Sequence, residues 1–334
     1  MYPNFDIAVV TEAALVDFIY EQVAAQFVIS KGLEEWQMVE RPYQIAVQKE
    51  LKELGKNYKK VSGGQLTNTL FNLAYWANKT EQKLKTAIAC STGKDALGLA
   101  YANDLLQQKI DITEVQFGND YTGKCLSIPT KNAPISKAML TSLSPLKTLS
   151  DMTEARFKQL CANTRYVLFE GYFFNSEPKR IVDFLKITKE VKTTQNPNLV
   201  VGLTLSSKWI AHKMDLNFIR QYTDFIAAND EEFEALTNES TFEGVLRKVQ
   251  GNVPKTLVYT MGSKGAIIYH NNKKQMVLPD LLPANQVVDV TGAGDGFLSG
   301  VLYGLLTNKS LQETSDIAKN LATKIIQMQG ARLT

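Results

Sequence analysis

The sequence predicts an α/β fold whose central sheet is mostly parallel. Short runs rich in β-branched residues recur along the chain, and amphipathic helical patterns lie between many of them. The strand runs are almost continuously apolar, as expected when helices cover both faces of a sheet. Strands are predicted at residues 5–10, 85–90, 166–169, 199–205, 224–228, 256–259 and 266–269, and helices at 68–77, 95–109, 178–191 and 231–236.

Two stretches depart from this alternation. Residues of about 15–60 and 112–146 mix polar and apolar positions, and glycine and proline interrupt the second stretch repeatedly. Such segments are more typical of short antiparallel strands and loops than of crossover helices. We expect residues 1–334 to form one domain, in which the two stretches pair into a small β lid over the ligand-binding edge of the sheet.

The composition is that of an ordinary globular protein. Hydrophobic residues make up 44% of the chain and charged residues 21%, with a formal net charge of +3. Because acidic and basic residues are interspersed, we expect neither a nucleic-acid nor a membrane partner. The first residues do not resemble a signal peptide and no apolar run is long enough to span a membrane, which predicts a cytoplasmic location.

Cysteine and histidine usage excludes some kinds of site. The three cysteines are widely spaced among apolar or small residues, as expected for reduced thiols. The two histidines, His212 and His270, lie far apart and have no nearby cysteine in sequence. A zinc site or a Ser-His-Asp triad is therefore not indicated.

The most informative segment is Asp289-Val-Thr-Gly-Ala-Gly-Asp-Gly296, which directly precedes an apolar helical pattern. The first N–H groups of a helix have no partner within it and carry partial positive charge. Gly292, Ala293 and Gly294 have little or no side chain, so an anion could approach this backbone. Asp295 would then stand beside a bound phosphate as the base that accepts a hydroxyl proton. The helix N-terminus should favour its carboxylate form, which predicts a weak base.

A purely structural interpretation of this segment also exists. Asp295 could help to cap a buried helix, and Gly296, Gly300 and Gly304, which recur every fourth residue, predict a close approach of that helix to its neighbours. A dinucleotide-binding fingerprint is not indicated, because the first strand is followed by Thr11-Glu12 rather than by a glycine-rich turn.

Residues 289–295 resemble the second signature of the ribokinase and phosphofructokinase-B family of ATP-dependent sugar and nucleoside kinases. The resemblance extends over essentially the whole chain, and the pattern at 170–174 and the long 15–60 segment are most similar to adenosine-kinase-like members. It implies a ribokinase-like three-layer α/β/α fold with a small β lid. The other matching segments follow in the family's order: the opening strand with Asp17, the Gly-Gly…Asn segment 62–68, the Gly-x-Asp-x-x-Gly segment 93–98, the Asn-x-x-Glu segment 229–232 and the Thr-x-Gly-x-x-Gly segment 260–265.

The resemblance implies a role for each matched residue. ATP and Mg²⁺ would be required, with Glu232 and Asn229 holding Mg²⁺ through water, and Asp289 stands where many members bind potassium. Glu170 would face the phosphates or the magnesium ion. The remaining roles are Asp295 as base with Gly292, Ala293 and Gly294 as anion hole; Asp17, Gly63, Gly64 and Asn68 for the sugar or nucleoside; and Asn229, Thr260, Gly262 and Gly265 for ATP.

Several matched residues also have ordinary local explanations. Asn229 and Glu232 would suit the N-cap and first turn of any helix, Asn68 could cap a helix, and Asp17 could be an exposed loop acid. Where the family commonly has Gly-Asn, this chain has Thr11-Glu12.

Further departures leave three points open. Thr204 stands where many members have an aspartate or asparagine, and little sequence follows Gly330 to complete a cation loop, so potassium dependence is an open question. A homodimer through the lid is compatible with the resemblance. The rival hypothesis is a catalytically inactive ligand-binding or regulatory member of the same fold.

Overall fold

The strands of the computed structural model form two sheets. The structure describes residues 4–20, 23, 25–33, 37–129, 137–249, 256–280 and 282–334. In chain order the strands are β1 (Phe5–Val10), β2 (Leu15–Tyr20), β3 (Gln37–Met38), β4 (Tyr58–Gly63), β5 (Thr86–Gly93), β6 (Asp111–Gly118), β7 (Gly123–Pro129), β8 (Lys137–Ser142), β9 (Thr164–Glu170), β10 (Val200–Thr204), β11 (Phe225–Asn229), β12 (Thr256–Thr260), β13 (Ala266–His270) and β14 (Lys273–Val277).

The helices mostly connect consecutive strands of the larger sheet, and two helices follow the last strand. In chain order they are α1 (Ala25–Ser30), α2 (Arg41–Glu53), α3 (Gln65–Lys79), α4 (Ala96–Gln107), α5 (Thr148–Asp151), α6 (Glu154–Ala162), α7 (Phe173–Ser176), α8 (Pro178–Thr194), α9 (Lys208–Ala211), α10 (Leu216–Tyr222), α11 (Asp230–Thr237), α12 (Phe242–Val249), α13 (Ala293–Leu306) and α14 (Leu311–Ile326).

The larger sheet has nine strands in the order β14-β13-β12-β11-β10-β9-β1-β5-β6. Pairing is parallel from β12 to β6, and β13 and β14 add an antiparallel hairpin at one edge. The chain passes from β1 to β5 on one side and later returns to β9 on the other. The β1/β9 pair is therefore the switch point of the sheet, where open α/β folds bind ligands.

Both faces of this sheet are buried. Along β1, Ile7 and Val9 belong to one hydrophobic cluster, whereas Ala8 and Val10 belong to the other. Such alternation follows from the two-residue repeat of a strand. The helices pack on both sides, which confirms the predicted three-layer α/β/α fold.

The smaller sheet, which we call the lid sheet, has five strands in the order β3-β8-β7-β2-β4. It differs from the sequence interpretation in two ways. Its pairing is mixed, because β2 runs parallel to β7 and β3 runs parallel to β8. Residues 111–118 belong to the larger sheet as its edge strand β6, so the second lid segment begins at β7.

The interpretation of residues 15–60 as strands and loops was also wrong for α2. This helix has proline in its first turn and buries Gln44, Val47 and Leu51 along one face. The Gln44 amide donates hydrogen bonds of 2.8 Å to the carbonyls of Lys124 and Leu140, which fixes the helix to β7 and β8. Its polar residues hid this periodicity, since the buried face contains a glutamine at a position where an apolar residue is expected.

The glycine repeat of α13 packs against α14. A Cβ atom added at Gly300 would lie 2.4 Å from the Cα of Ala318, and one added at Gly304 would lie 2.3 Å from the Thr314 hydroxyl. The predicted close approach of the helix at these glycines is confirmed. This packing brings the start of α13, which carries Asp295, close to the residues that follow α14.

The three cysteines, Cys90, Cys125 and Cys161, are all buried, and none of them forms a disulfide. None of the helices among the described residues is long and apolar enough to cross a membrane.

We predict that Gly300→Ala lowers the free energy of unfolding by about 2 kcal/mol, because the new methyl group meets backbone atoms of α14 that cannot rotate away. Urea unfolding measures the change. Gly294→Ala is the matched control, since nothing lies within 4 Å of its added Cβ. Equal stabilities for the two variants would contradict the packing described for α13 and α14.

Candidate active site

The carboxyl ends of five adjacent parallel strands present polar side chains along one edge of the large sheet. From the switch point outward these are Glu12 just after β1, Glu170 at the end of β9, Thr204 of β10, Asn229 of β11 and Thr260 of β12. A cavity of about 480 Å³ lies at the switch point, between this edge and the lid sheet. The location is the one expected for ligands in an open parallel sheet.

Asp295 lies at this cavity, in the first turn of α13. The helix begins there because Gly292 takes a left-handed conformation with φ of 78°. A side chain at Gly292 would also collide with Ala331, whose Cβ would be 2.3 Å away. Glycine is thus required at 292 by both backbone conformation and packing.

The turn before α13 has backbone N–H groups available for an anion. Among the described residues, the N–H groups of Gly292, Gly294 and Asp295 have no backbone acceptor, whereas Ala293 donates to the carbonyl of Val290 at 3.3 Å. The sequence analysis expected Ala293 to donate to the anion as well. The geometry therefore favours Gly292 and Gly294 over Ala293 for this role.

Asn68 connects Asp295 to a buried arginine. Its amide nitrogen donates to the Asp295 carboxylate at 3.2 Å, and its amide oxygen accepts from Nε of Arg332 at 3.0 Å. Because the arginine can only donate, it determines which end of the amide faces Asp295. Arg332 also forms an ion pair with Asp104 and lies over the ring of Phe71.

Sequence reasoning missed Arg332 and Asn72. Asn72, one turn after Asn68 on α3, donates to the carbonyl of Ala331 at 2.9 Å and accepts from the N–H of Leu333 at 2.8 Å. The two asparagines therefore hold the C-terminal residues against α3. Their spacing of four residues on a predicted helix was the available signal, since it places both amides on one face.

Asp17 enters the cavity from β2 of the lid sheet. A Cβ atom at Gly63 on the neighbouring β4 would lie only 2.4 Å from an Asp17 carboxylate oxygen, so glycine leaves the space that Asp17 occupies. Burial raises the pKa of Asp17 to about 6, although the charges of Arg332 and Lys137 oppose the shift. Gly64 caps α3 with φ of 99°.

Glu170 is fully inside the protein, with 3% of its surface exposed. Its carboxylate accepts from the N–H of Leu66 at 2.9 Å and from the N–H of Glu12 at 3.2 Å. Burial raises the pKa of Glu170 to about 7, and the nearby Glu12 charge adds to the shift. Glu170 borders the cavity that also holds Asp17 and Asp295, and its predicted position towards phosphate or magnesium stays a prediction.

The pKa of Asp295 contradicts the expectation of a weak base. Burial, helped by the charges of Glu170 and Asp17, raises this pKa from an ordinary 3.8 to about 8, although the hydrogen bond from Asn68 opposes the shift. The carboxylate keeps some exposure to the cavity but is otherwise surrounded by protein. Loss of hydration and two neighbouring acids thus outweigh the helix N-terminus.

A second cavity of about 360 Å³ shares Tyr172, Ser207 and Trp209 with the first and reaches Asn229 and Glu232. These two residues form a capping box on α11: the Glu232 N–H donates to the Asn229 side chain at 2.8 Å, and the Asn229 N–H donates to the Glu232 carboxylate at 3.1 Å. Burial raises the pKa of Glu232 to about 7. The local capping explanation therefore holds, and it leaves one Glu232 oxygen for a further partner.

The other predicted nucleotide residues lie beside Asn229. Thr260 is paired with Asn229 across β11 and β12. The turn that follows contains Gly262 and Gly265, both with positive φ, and a side chain at Gly265 would collide with the carbonyl of Val277. Neither glycine borders the two cavities described above. Thr204 instead donates to the side chain of Gln65 at 3.1 Å.

Asp289 does not fit the predicted role of a potassium ligand. The ammonium group of Lys137 contacts both of its carboxylate oxygens at 2.6 Å. The same oxygens accept from the N–H groups of Thr291 at 2.9 Å and Gly330 at 2.8 Å. A metal cation would need these oxygens as ligands, and here they already accept four contacts from three donor groups.

The described residues contain no group of three or more histidine, cysteine, aspartate or glutamate side chains arranged to hold a metal ion. The arrangement at Glu232 is compatible with magnesium held through water, because Mg²⁺ keeps several waters and needs few direct protein ligands.

Comparisons with a family model and with related sequences both match this chain to kinases. The family model of pfkB family carbohydrate kinase matches residues 28–334. The chain is 24% identical to an ATP-dependent 6-phosphofructokinase from Thermoanaerobacterium thermosaccharolyticum over 82% of this chain and 81% of that one. It is also 24% identical to an adenosine kinase from Saccharomyces cerevisiae over 81% and 79% of the two chains.

A solved structure of a probable sugar kinase from Rhizobium etli shares the fold. Its TM-score is 0.78 at 24% identity, and the match covers 99% of this chain and 95% of that one.

We predict that Asp295→Asn stabilises the protein increasingly as pH rises. The pKa of Asp295 is higher in the folded state than in the unfolded state, so protonation of Asp295 stabilises the fold at low pH. This contribution to the free energy of unfolding is lost as the pH rises from about 4 to about 8. The asparagine variant does not titrate. Its advantage in unfolding free energy should be near zero at pH 4 and about 2 kcal/mol at pH 8, after allowance for the partial exposure of the site.

Urea unfolding at several pH values measures this difference. Asp316→Asn, on the exposed surface of α14, is the control and should show no such trend. If the difference in unfolding free energy between Asp295→Asn and the unaltered protein is constant with pH, or shrinks as pH rises, Asp295 has an ordinary pKa.

Proposed function

The chain belongs to the pfkB family of carbohydrate kinases, and on that premise we propose that it transfers the γ-phosphate of MgATP to a hydroxymethyl group of a sugar or nucleoside. The observation that carries the proposal is the position of Asp295, which borders the cavity beside the free N–H groups of Gly292 and Gly294. A proton acceptor and an anion-binding turn are the two elements that phosphoryl transfer to an alcohol requires.

In the proposed reaction, the acceptor hydroxyl oxygen bonds to the γ-phosphorus while the bond from phosphorus to the bridging oxygen of ADP breaks. Asp295 accepts the hydroxyl proton. The N–H groups of Gly292 and Gly294 stabilise the negative charge on the transferred phosphoryl group. Asn68 keeps the carboxylate oriented, because Arg332 fixes the amide from the other side.

ATP would occupy the second cavity and the strand ends beside it. Lys208 and Trp209 border this cavity from α9, and Asn229 and Glu232 border it from β11 and α11. Magnesium would supply charge neutralisation at the phosphates, held through water by Glu232 and Asn229. Thr260, Gly262 and Gly265 would contact the nucleotide farther along the edge.

The acceptor is proposed to be uncharged. Among the described residues, the larger cavity is bordered by the carboxyl groups of Glu12, Asp17, Glu170 and Asp295 and by one basic side chain, that of Lys213. Sugar hydroxyls can form hydrogen bonds with carboxyl groups in either protonation state, whereas a phosphate is repelled by those that are ionised. Of the acceptors named for the two relatives, adenosine therefore fits this cavity better than a phosphorylated sugar.

The lid sheet is proposed to exclude water during transfer. Its residues Met38, Met139 and Thr141 border the acceptor cavity opposite the large sheet. An apolar cover limits hydrolysis of ATP by water. A homodimer through the lid, a cytoplasmic location and the absence of nucleic-acid and membrane partners stay predictions from the sequence.

A catalytically inactive ligand-binding member of the fold is the rival. The departures at Thr11-Glu12 and Thr204 leave it open, and in the structure the Glu12 N–H donates to the Glu170 carboxylate. The intact arrangement around Asp295 favours the kinase.

We predict that Asp295→Asn lowers kcat by about a thousandfold, because the variant cannot accept the acceptor proton. ATP consumption against a panel of sugars and nucleosides is the measurement, and Asp316→Asn is the control for loss of an exposed carboxylate. Acceptor-dependent turnover that survives in the Asp295 variant would exclude it as the base. A ligand that binds the unaltered protein without any turnover would favour the inactive rival.

The pH profile should report the same carboxyl group. A base must be ionised, and the pKa of Asp295 is raised to about 8. We therefore predict that kcat/KM for the acceptor rises tenfold per pH unit below about pH 8 and levels off above it. A profile that is flat from pH 5 to pH 8 would contradict the assignment.

Selectivity against charged acceptors gives a further prediction. The unaltered protein should prefer neutral sugars or nucleosides over sugar phosphates by about a hundredfold or more in kcat/KM. Glu12→Gln should narrow this preference for neutral acceptors, since it removes one ionisable carboxyl group from the cavity wall. Turnover of a sugar phosphate that equals that of every neutral acceptor would contradict the proposed substrate class.

A further inference from the structure

Lys137 and Asp289 form a buried ion pair between the lid sheet and the loop that precedes α13. The lysine side chain is 10% exposed and the aspartate side chain 3%, and the ammonium nitrogen lies 2.6 Å from each carboxylate oxygen. A pair this deeply buried is costly unless both partners are fully hydrogen-bonded. Asp289 meets that condition through two further backbone donors.

Those backbone donors belong to the parts of the chain that form the phosphate side of the site. Thr291 directly precedes the Gly292 turn, and Gly330 begins the C-terminal segment that carries Arg332. Asp289 thus fixes the anion-binding turn and the tail relative to each other. Its negative charge is compensated from the lid, because Lys137 is the first residue of β8.

We propose that the Lys137 ammonium is a built-in cation that takes the place of a monovalent metal ion at Asp289 and positions the anion-binding turn. Phosphoryl transfer would then require no potassium. The inference rests on the proposed kinase function for its activity readout. Lys137 acts through Asp289 and the turn, so it is a positioning residue and does not contact the reacting atoms.

Because Lys137 belongs to the lid sheet, its charge is covalently linked to residues of the acceptor cavity, which is not true of a dissolved ion. Met139 and Thr141, two and four residues farther along β8, border the acceptor cavity. The same strand therefore closes the acceptor side and delivers positive charge to the phosphate side. The Lys137 charge also acts on Asp17, whose pKa it lowers against the larger effect of burial.

The first test needs no variant. Acceptor-dependent ATP turnover by the unaltered protein is measured in potassium chloride and in choline chloride at equal ionic strength. The expected rates agree within about twofold, since the cation is already part of the chain. Stimulation by potassium of about tenfold or more would overturn the inference while leaving the kinase function intact.

The second test uses Lys137→Met, which keeps an unbranched side chain one atom shorter and removes its charge. In choline chloride, kcat should fall about a hundredfold because the turn is no longer held in place. Potassium should restore much of this loss by supplying the missing charge. The matched control is Lys60→Met, an exposed lysine of β4 in the same sheet, which should match the unaltered protein in both salts.

Melting temperature gives a readout that does not depend on activity. Potassium should raise the melting temperature of the Lys137 variant relative to choline, and it should leave that of the unaltered protein unchanged. A folded variant that responds to potassium in neither turnover nor melting temperature overturns the inference. If the variant does not fold, the salt dependence of the unaltered protein decides.

Failure of the proposed function is distinguishable from failure of the inference. The absence of acceptor-dependent turnover by the unaltered protein in both salts would contradict the kinase assignment. The melting temperatures of the two proteins in the two salts would then still decide whether Lys137 replaces a metal ion.

Discussion

The contact between Asn68 and Asp295 joins the three parts of the chain on which the site depends. Asn68 is anchored by Arg332 from the C-terminal tail, and Arg332 is in turn anchored by Asp104 of α4. The tail is held by Asn72 and Asp289, and it packs against Gly292 at the start of α13. Asp295, the amide of Asn68 and the turn at Gly292 are therefore positioned by a connected set of buried polar contacts.

The electrostatics of the site follow from burying several acids together. At surface sites, a helix N-terminus typically stabilises a nearby carboxylate by no more than about 1 kcal/mol. Each unit of pKa shift corresponds to about 1.4 kcal/mol, so the rise of the Asp295 pKa from 3.8 to about 8 reflects a larger opposing effect. Loss of hydration dominates, and the charges of Glu170 and Asp17 add to it. The result is a carboxyl group basic enough to accept a proton near neutral pH.

The fold was predictable because its evidence is local. The strand runs, the glycines of α13 and the residues at strand ends are all visible within short windows, and parallel pairing then brings Glu12, Glu170 and Asn229 to one edge. Helix α2 was missed because a buried glutamine interrupts its apolar face. Its hydrogen bonds to the lid sheet, which make Gln44 acceptable there, depend on residues far away in the sequence.

The ion pair of Asp289 and the role of Arg332 could not be predicted in the same way. Lys137 and Asp289 are separated by 152 positions, and Asn68 and Arg332 by 264. No periodicity connects residues at such distances. The resemblance to a family indicated a metal cation at Asp289, and in the structure the ammonium group of Lys137 contacts its carboxylate.

The central claim is that Asp295 accepts the proton of a hydroxyl group held in the acid-lined cavity. A crystal structure with a nonreactive ATP analogue and a bound nucleoside or sugar tests it most directly. We predict an acceptor hydroxyl oxygen within about 3.2 Å of an Asp295 carboxylate oxygen, and the terminal phosphate at the N–H groups of Gly292 and Gly294. An acceptor whose hydroxyl groups all lie away from Asp295, with the terminal phosphate bound elsewhere, would contradict it.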